Sequence, residues 1–143
     1  VILGRDAMLG TFGRSLHGMA QSAQGAAWSA LDWPDAPHRT GVPYIDRVAM
    51  RAVCVGGQPV DAGGVIRAQL SEYEAAADPR KHLGFFGGGA HLCLGRALAL
   101  EIWQGVAAYL SQSAARPLVL EYGLRRDDVF FLPQTFILEI SAS

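Results

Sequence analysis

One glycine-rich stretch of this sequence contains a cysteine at the point where a turn is expected to become a helix. It runs from Phe86 to Arg96 and reads Phe-Gly-Gly-Gly-Ala-His-Leu-Cys-Leu-Gly-Arg, with Cys93 near its end. Three consecutive glycines allow positive φ angles and a close approach of the backbone to a flat ligand. The residues that follow predict a helix, and we expect Cys93 in its first turn, where unpaired N–H groups and the helix dipole stabilise a thiolate. Such a thiolate can bind a soft metal centre.

The surroundings of Cys93 favour one kind of metal centre over another. A structural zinc site takes four ligands, usually closely spaced cysteines and histidines. Here one sulfur ligand with an aromatic residue upstream, Phe86, suits a haem iron better. The glycines fit neither a phosphate loop, which would end in Gly-Lys-Ser/Thr, nor the Gly-x-Gly-x-x-Gly pattern of a dinucleotide site.

The whole pattern resembles the haem-binding signature of the cytochrome P-450 superfamily, the haem-thiolate monooxygenases. Every position of Phe-Gly-x-Gly-x-His-x-Cys-x-Gly is filled, by Phe86, Gly87, Gly89, His91, Cys93 and Gly95. The resemblance implies that Cys93 ligates the haem iron and that Phe86 shields the sulfur from water. It also implies that His91 donates to a haem propionate and that Gly95 lets the next helix approach the macrocycle.

Two other segments extend the resemblance. Arg47 begins a segment similar to the family's strand pair, in which a leading arginine reaches a haem propionate, although a strand-edge arginine in water is the alternative. Gly4-Arg5-Asp6-Ala7 resembles the central-helix pattern Gly-x-(Asp or Glu)-Thr, which delivers protons to iron-bound dioxygen. Asp6 would be the acid, whereas Ala7 replaces the alcohol. An ordinary solvated pair of Arg5 and Asp6 is the alternative.

The resemblance implies a monooxygenase that oxidises a small organic substrate with dioxygen, using electrons from a ferredoxin or a reductase. Two features depart from the family. No Glu-x-x-Arg occurs between Gln21 and Arg47, where the family normally has it, and Ala7 lacks a hydroxyl group. Two alternatives therefore stay open: a non-catalytic haem-binding protein for sensing or storage, and a degenerate interaction domain that holds no haem.

Length and composition limit the other classes of function. The chain has 143 residues, half of them hydrophobic, and a formal charge of −1, which suits one domain and implies no nucleic-acid surface. Its most apolar windows are interrupted by polar residues and proline, so we expect no membrane span. We expect a reducing cytoplasm, with Cys93 unpaired and Cys54 a buried apolar residue. Family chains are longer and Val1 is not methionine, so we expect a C-terminal portion that is not competent alone.

The predicted fold class is mainly α with small β-sheets (α+β). We expect a truncated cytochrome P-450-like fold that retains part of the central helix, a β-hairpin, the cysteine loop with its helix, and the C-terminal strands. Residues 1–21 are predicted as a helix, 22–46 as a linker packed by its tryptophans, and 47–143 as the haem-ligand region with the C-terminal sheet. Within the last part we predict strands at 47–55, 65–70, 117–122, 128–132 and 135–140, a hairpin turn at Gly56-Gly57, and a helix over 71–77 capped by Ser71. Pro133-Gln134 is the expected substrate-pocket loop, and His82 is a possible surface contact.

Overall fold

The computed structural model describes residues 2–75, 81, 83–126 and 129–141. Two helices are the main framework of the described chain: α1, Ile2–Ala23, and α2, Arg96–Leu110. The strands are β1, Tyr44–Val48; β2, Val53–Val55; β3, Gln58–Val60; β4, Val65–Gln69; β5, Arg116–Arg126; and β6, Phe131–Ser141. Short 3-10 turns cover Trp28–Ala30, Leu70–Ala75, Leu83–Phe86 and Gly89–His91. The predicted mixture of helices and small β-sheets is confirmed.

In the described part of the chain, the strands form three antiparallel pairs: β1 with β4, β2 with β3, and β5 with β6. The predicted hairpin at Gly56-Gly57 is confirmed as the turn between β2 and β3. The predicted continuous strand over residues 47–55 is wrong. The chain leaves the β1–β4 ladder at Ala49, whose amide donates to the Gly64 carbonyl at 2.9 Å and whose carbonyl accepts from the Gly63 amide at 2.8 Å.

The terminal sheet also differs from expectation. Strand β6 runs without a break through Pro133 and Gln134, so the predicted loop at these residues is wrong. Pro133 pairs with Leu124 next to a register shift between Gly123 and Leu124, and such a bulge accommodates a residue that lacks an amide hydrogen. The start of the predicted strand at residue 128 lies outside the described residues.

Glycines on α1 allow the helix to pack closely against its neighbours. A side chain added at Gly10 would lie 2.8 Å from the Gly41 Cα, and one added at Gly13 would overlap the Pro133 ring. Through these contacts, α1 packs against the linker at Gly10 and against the terminal sheet at Gly13. Glycine lowers the intrinsic stability of a helix, and at these two positions the close contacts that it allows offset that cost.

Two apolar clusters form the core of the described chain. One contains Leu70, Phe85, Phe86 and Ala99, with Phe12 of α1 packed against it. The other contains Met19, Ala20 and Trp28, with Trp33 beside it. The predicted packing role of the linker tryptophans is confirmed, since the Trp28 and Trp33 ring centroids are 5.5 Å apart.

Two smaller expectations are wrong. Ser71 lies inside the 3-10 turn that begins at Leu70, so it is not a helix N-cap; residues 76–77 of the predicted helix lie outside the described residues. Cys54 is exposed, because the β2–β3 ribbon leaves most of its side chains in solvent. His82 also lies outside the described residues.

Candidate functional site

Cys93 lies in a turn before α2 and not in the first turn of that helix, so the predicted helical position is wrong. The Arg96 amide donates to the Cys93 carbonyl at 3.2 Å, whereas the helix begins only when the Ala99 amide bonds to the Gly95 carbonyl at 2.9 Å. The Cys93 amide donates to the Phe86 carbonyl at 2.8 Å. The backbone of Cys93 is therefore fixed on both sides by local hydrogen bonds.

A slot of about 180 Å³ separates this cysteine turn from α1. The turn contributes Phe85, Phe86, Cys93 and Gly95 to its wall, and no charged residue lies among the described residues that line it. The side of α1 that borders the slot carries Gly4, Ala7, Met8, Thr11 and Phe12. Cys93 thus borders an apolar space whose opposite wall includes two of the smallest side chains.

The chemistry of the slot residues suits a haem held by a thiolate, whereas the slot volume of about 180 Å³ is smaller than a haem. Cys93 is the soft donor, and Phe86, only 8% exposed, gives the sulfur an apolar neighbour. A side chain added at Gly4 would meet no atom within 4 Å, so the α1 side remains open at that point. The chemistry of this donor set matches a flat apolar group with an iron centre better than a closed metal cage.

The other predicted haem contacts do not line the slot. Arg47 is exposed on β1, and its Nη1 donates to the carbonyl oxygen of Asp46 at 3.0 Å. His91 is exposed at the end of the Gly89–His91 turn. Gly87 and Gly89 shape this turn with φ angles of 76° and 56°. The slot therefore unites Phe86, Cys93 and Gly95 and leaves the two expected propionate donors outside it.

Asp6 points towards a different space. Its carboxylate pairs with Arg5 at 2.9 Å, and both residues border a cavity of about 630 Å³ between α1 and the terminal sheet. Pro133 and Gln134 line the same cavity, although they belong to a strand. Asp6 and Ala7 are neighbours in sequence, yet Asp6 lines this cavity whereas Ala7 lines the slot.

Thr11 is a slot residue that the sequence did not single out for a role. It follows Ala7 by one helical turn, which places both on the same side of α1. Its buried Oγ1 accepts a hydrogen bond from the Gly41 amide at 2.8 Å. The spacing of four residues was the available signal, but the bond to Gly41 depends on a contact between distant segments.

A buried ion cluster behind the slot was also missed. The Glu74 carboxylate, 7% exposed, accepts from Arg14 Nη1 at 2.6 Å and Nη2 at 3.2 Å, and from Arg39 Nη1 at 3.1 Å. The Thr40 amide donates to Glu74 Oε1 at 2.8 Å, and Arg14 Nη1 also donates to the Thr40 carbonyl. Since Thr40 lines the slot, this cluster connects α1, the linker and the Leu70–Ala75 turn directly behind the slot wall.

Comparisons with known proteins agree with the fold. No model of a protein family matches the sequence. The chain is 38% identical over 70 residues to a Mycobacterium tuberculosis protein named Putative cytochrome P-450 126, covering 40% of this chain and 17% of that protein. This chain therefore spans only a small part of that relative's length.

Solved structures show the same fold. Cytochrome P-450-153 from Novosphingobium aromaticivorans superposes with a TM-score of 0.63 and 16% identity, covering 94% of this chain and 39% of that structure. A thermophilic cytochrome P-450 from Sulfolobus tokodaii gives a TM-score of 0.62 and 18% identity, covering 96% of this chain and 41% of that structure.

The described fold is therefore the same as part of the fold of these solved structures. The resemblance to the cytochrome P-450 superfamily is confirmed, and the chain corresponds to part of that fold. No helix in the described part of the chain combines the length and the hydrophobicity that crossing a bilayer requires.

Proposed function

We propose that this chain binds haem through the Cys93 thiolate, as part of a cytochrome P-450-like monooxygenase that oxidises a small organic substrate with dioxygen. The observation that carries the proposal is the position of Cys93, held by backbone hydrogen bonds at the edge of an apolar slot. The chemistry that a bound haem supplies in this class is dioxygen activation, with electrons from a ferredoxin or a reductase.

The residues of the turn have distinct parts in the proposal. Cys93 would ligate the haem iron and requires a reducing compartment to remain unpaired. Phe86 would pack beside the sulfur, which is exposed in this structure, and a bound haem would cover the remaining side and preserve the electron donation of the thiolate. Gly87 and Gly89 give the turn its shape, and Gly95 keeps the start of α2 free of a side chain. Arg47 and His91 are proposed propionate donors whose side chains would reorient from their exposed positions.

Proton handling is the part of the proposed reaction with least support from the slot residues. Ala7 has no hydroxyl group, the Thr11 hydroxyl accepts from Gly41, and Asp6 pairs with Arg5 beside the other cavity. These observations favour a second candidate function, in which the chain binds haem without catalysis. A degenerate interaction domain without haem is the third candidate.

A carbon monoxide spectrum tests the ligand. The protein is supplied with haem, reduced and exposed to carbon monoxide, and the wild type should give the red-shifted band of thiolate ligation. Cys93→Ala should abolish that band, whereas Cys54→Ala, the matched change at the other exposed cysteine, should keep it. Identical spectra from wild type and Cys93→Ala would reject the ligand assignment, and an absence of haem binding would favour the third candidate.

A second measurement separates enzyme from carrier. Dioxygen consumption is followed while electrons are delivered by a ferredoxin with its reductase. Consumption that needs Cys93 and yields an oxidised product supports the monooxygenase. Thiolate-type spectra without turnover from any electron donor support the non-catalytic haem protein.

A further inference from the structure

A small polar cavity lies near the C-terminal end of α1, away from the cysteine turn. It measures about 170 Å³ and is bounded by α1, the linker and β5. Its polar lining consists of Arg14, His17, Gln21, Arg39 and Tyr122. All five side chains carry hydrogen-bond donors, and no carboxylate occurs among the described residues of the wall. Such a lining offers hydrogen bonds to an anion, and its two guanidinium groups would repel a cation.

The charges around this cavity are not balanced within the described chain. Arg14 and Arg39 share a single carboxylate, that of Glu74. Arg14 uses both terminal nitrogens on Glu74, whereas Arg39 uses only Nη1 and has no acceptor for Nε or Nη2 in the described part of the chain. The Arg39 side chain is 45% exposed, so these donors remain accessible to a ligand that enters from solvent.

His17 and Tyr122 form an aromatic wall of the same cavity. Their rings stack with centroids 3.5 Å apart and an interplanar angle of 7°, and Phe136 meets the His17 ring edge-on at 5.8 Å. Burial, with a smaller contribution from Arg39, lowers the pKa of His17, and burial raises the pKa of Tyr122. Both groups are therefore neutral near pH 7, and each can donate one hydrogen bond.

We propose that this cavity binds a small tetrahedral oxyanion, namely a phosphate or sulfate group. Arg39 supplies Nε and Nη2 as paired donors that match such an oxyanion, and Arg14, whose terminal nitrogens bond to Glu74, adds positive charge. Gln21, His17 and Tyr122 supply neutral donors around it. The bound group is either a free inorganic ion or the terminal phosphate of a phosphomonoester, since the recognising chemistry is the same. The proposal does not depend on haem, because it uses none of the residues of the cysteine turn.

Sulfate is the probe of choice because its charge stays constant across the pH range in which histidine titrates. Calorimetric titration of the full 143-residue chain at low ionic strength should show saturable binding to one site. Nuclear magnetic resonance should show that sulfate raises the pKa of His17, since a nearby anion stabilises the imidazolium. Affinity should therefore increase as the pH falls through the titration of His17.

Two pairs of variants test the location. Gln21→Glu places a carboxylate in the wall and should weaken sulfate binding by roughly tenfold or more, whereas the same change at exposed Gln112 should have little effect. Arg39→Gln should weaken binding similarly, whereas Arg51→Gln removes one exposed charge elsewhere and should not. Far-ultraviolet circular dichroism verifies folding, and Gln21→Glu keeps the test valid if Arg39→Gln fails to fold.

The outcome separates the sources of the anion and can overturn the site. If inorganic phosphate and phenyl phosphate bind with equal affinity, the cavity is a site for the free ion. If phenyl phosphate binds more tightly, the cavity is a site for a phosphomonoester. The site is rejected if sulfate does not bind or if Gln21→Glu and Gln112→Glu weaken sulfate binding equally. It is also rejected if sulfate does not change the pKa of His17.

Discussion

The amide of Cys93 donates a hydrogen bond to the carbonyl oxygen of Phe86 at 2.8 Å. This bond closes the glycine-rich loop and brings the sulfur-bearing residue back to the buried aromatic cluster. Gly87, the first residue of the loop, has a φ angle of 76°, and a side chain added there would lie 2.5 Å from the carbonyl oxygen of His91. The position of Cys93 therefore depends on a glycine at residue 87.

Replacement of Gly87 by alanine should open this loop. The left-handed conformation alone costs a non-glycine residue about 1–2 kcal/mol, and the contact with His91 adds to that cost. We expect a lower free energy of unfolding in urea and weaker haem binding in a spectral titration. Gly88→Ala is the matched control, because Gly88 has a φ of −157° and open space around the added carbon. Equal behaviour of the two variants would contradict this view of the loop.

Replacement of Glu74 by glutamine should destabilise the protein strongly. The change keeps the size of the side chain but leaves the part-buried Arg14 guanidinium without its carboxylate. Loss of one partner of a buried pair costs about 3 kcal/mol, which urea unfolding can measure. Asp46→Asn is the control, since Asp46 pairs with Arg67 at 2.8 Å on the exposed β1–β4 sheet and should matter little. A comparable loss at both positions would mean that burial does not strengthen the Glu74 cluster.

The sequence predicted the parts of this fold that local patterns determine. Helix α1 follows from the periodicity of its apolar residues, and the β2–β3 hairpin follows from its two turn glycines. The same local reasoning placed Cys93 inside a helix. The helix begins only at Arg96, and the apolar residues that follow Cys93 do not indicate this later start. The first residue of a helix is set by which carbonyl oxygen accepts a hydrogen bond from each amide. Here the folded turn determines those partners, so the sequence alone did not predict them.

The features that the sequence did not predict depend on residues far apart in the chain. Glu74 meets Arg14 and Arg39 only after α1, the linker and the turn have packed together, and no spacing rule connects these positions. Pro133 looked like a strand breaker, yet it lies next to a bulge at Gln134 of β6, where a residue without an amide hydrogen is tolerated. The slot beside Cys93 was implied by family resemblance alone, since its other wall belongs to α1.

The stability of the protein should decrease on mild acidification because of His17. Burial is the main cause that lowers the pKa of His17 below its usual 6.5, and Arg39 adds to the effect. The unfolded chain therefore binds a proton more readily than the folded one, so this contribution to stability is complete above about pH 6.5 and is lost as the pH falls through the lower folded-state pKa. Urea unfolding at pH 7.5 and about pH 5.5 measures the difference. His17→Phe keeps an aromatic ring against Tyr122 and should flatten this pH dependence, whereas Tyr122→Phe keeps the histidine and should preserve it. An unchanged pH dependence in His17→Phe would show that another group controls acid stability.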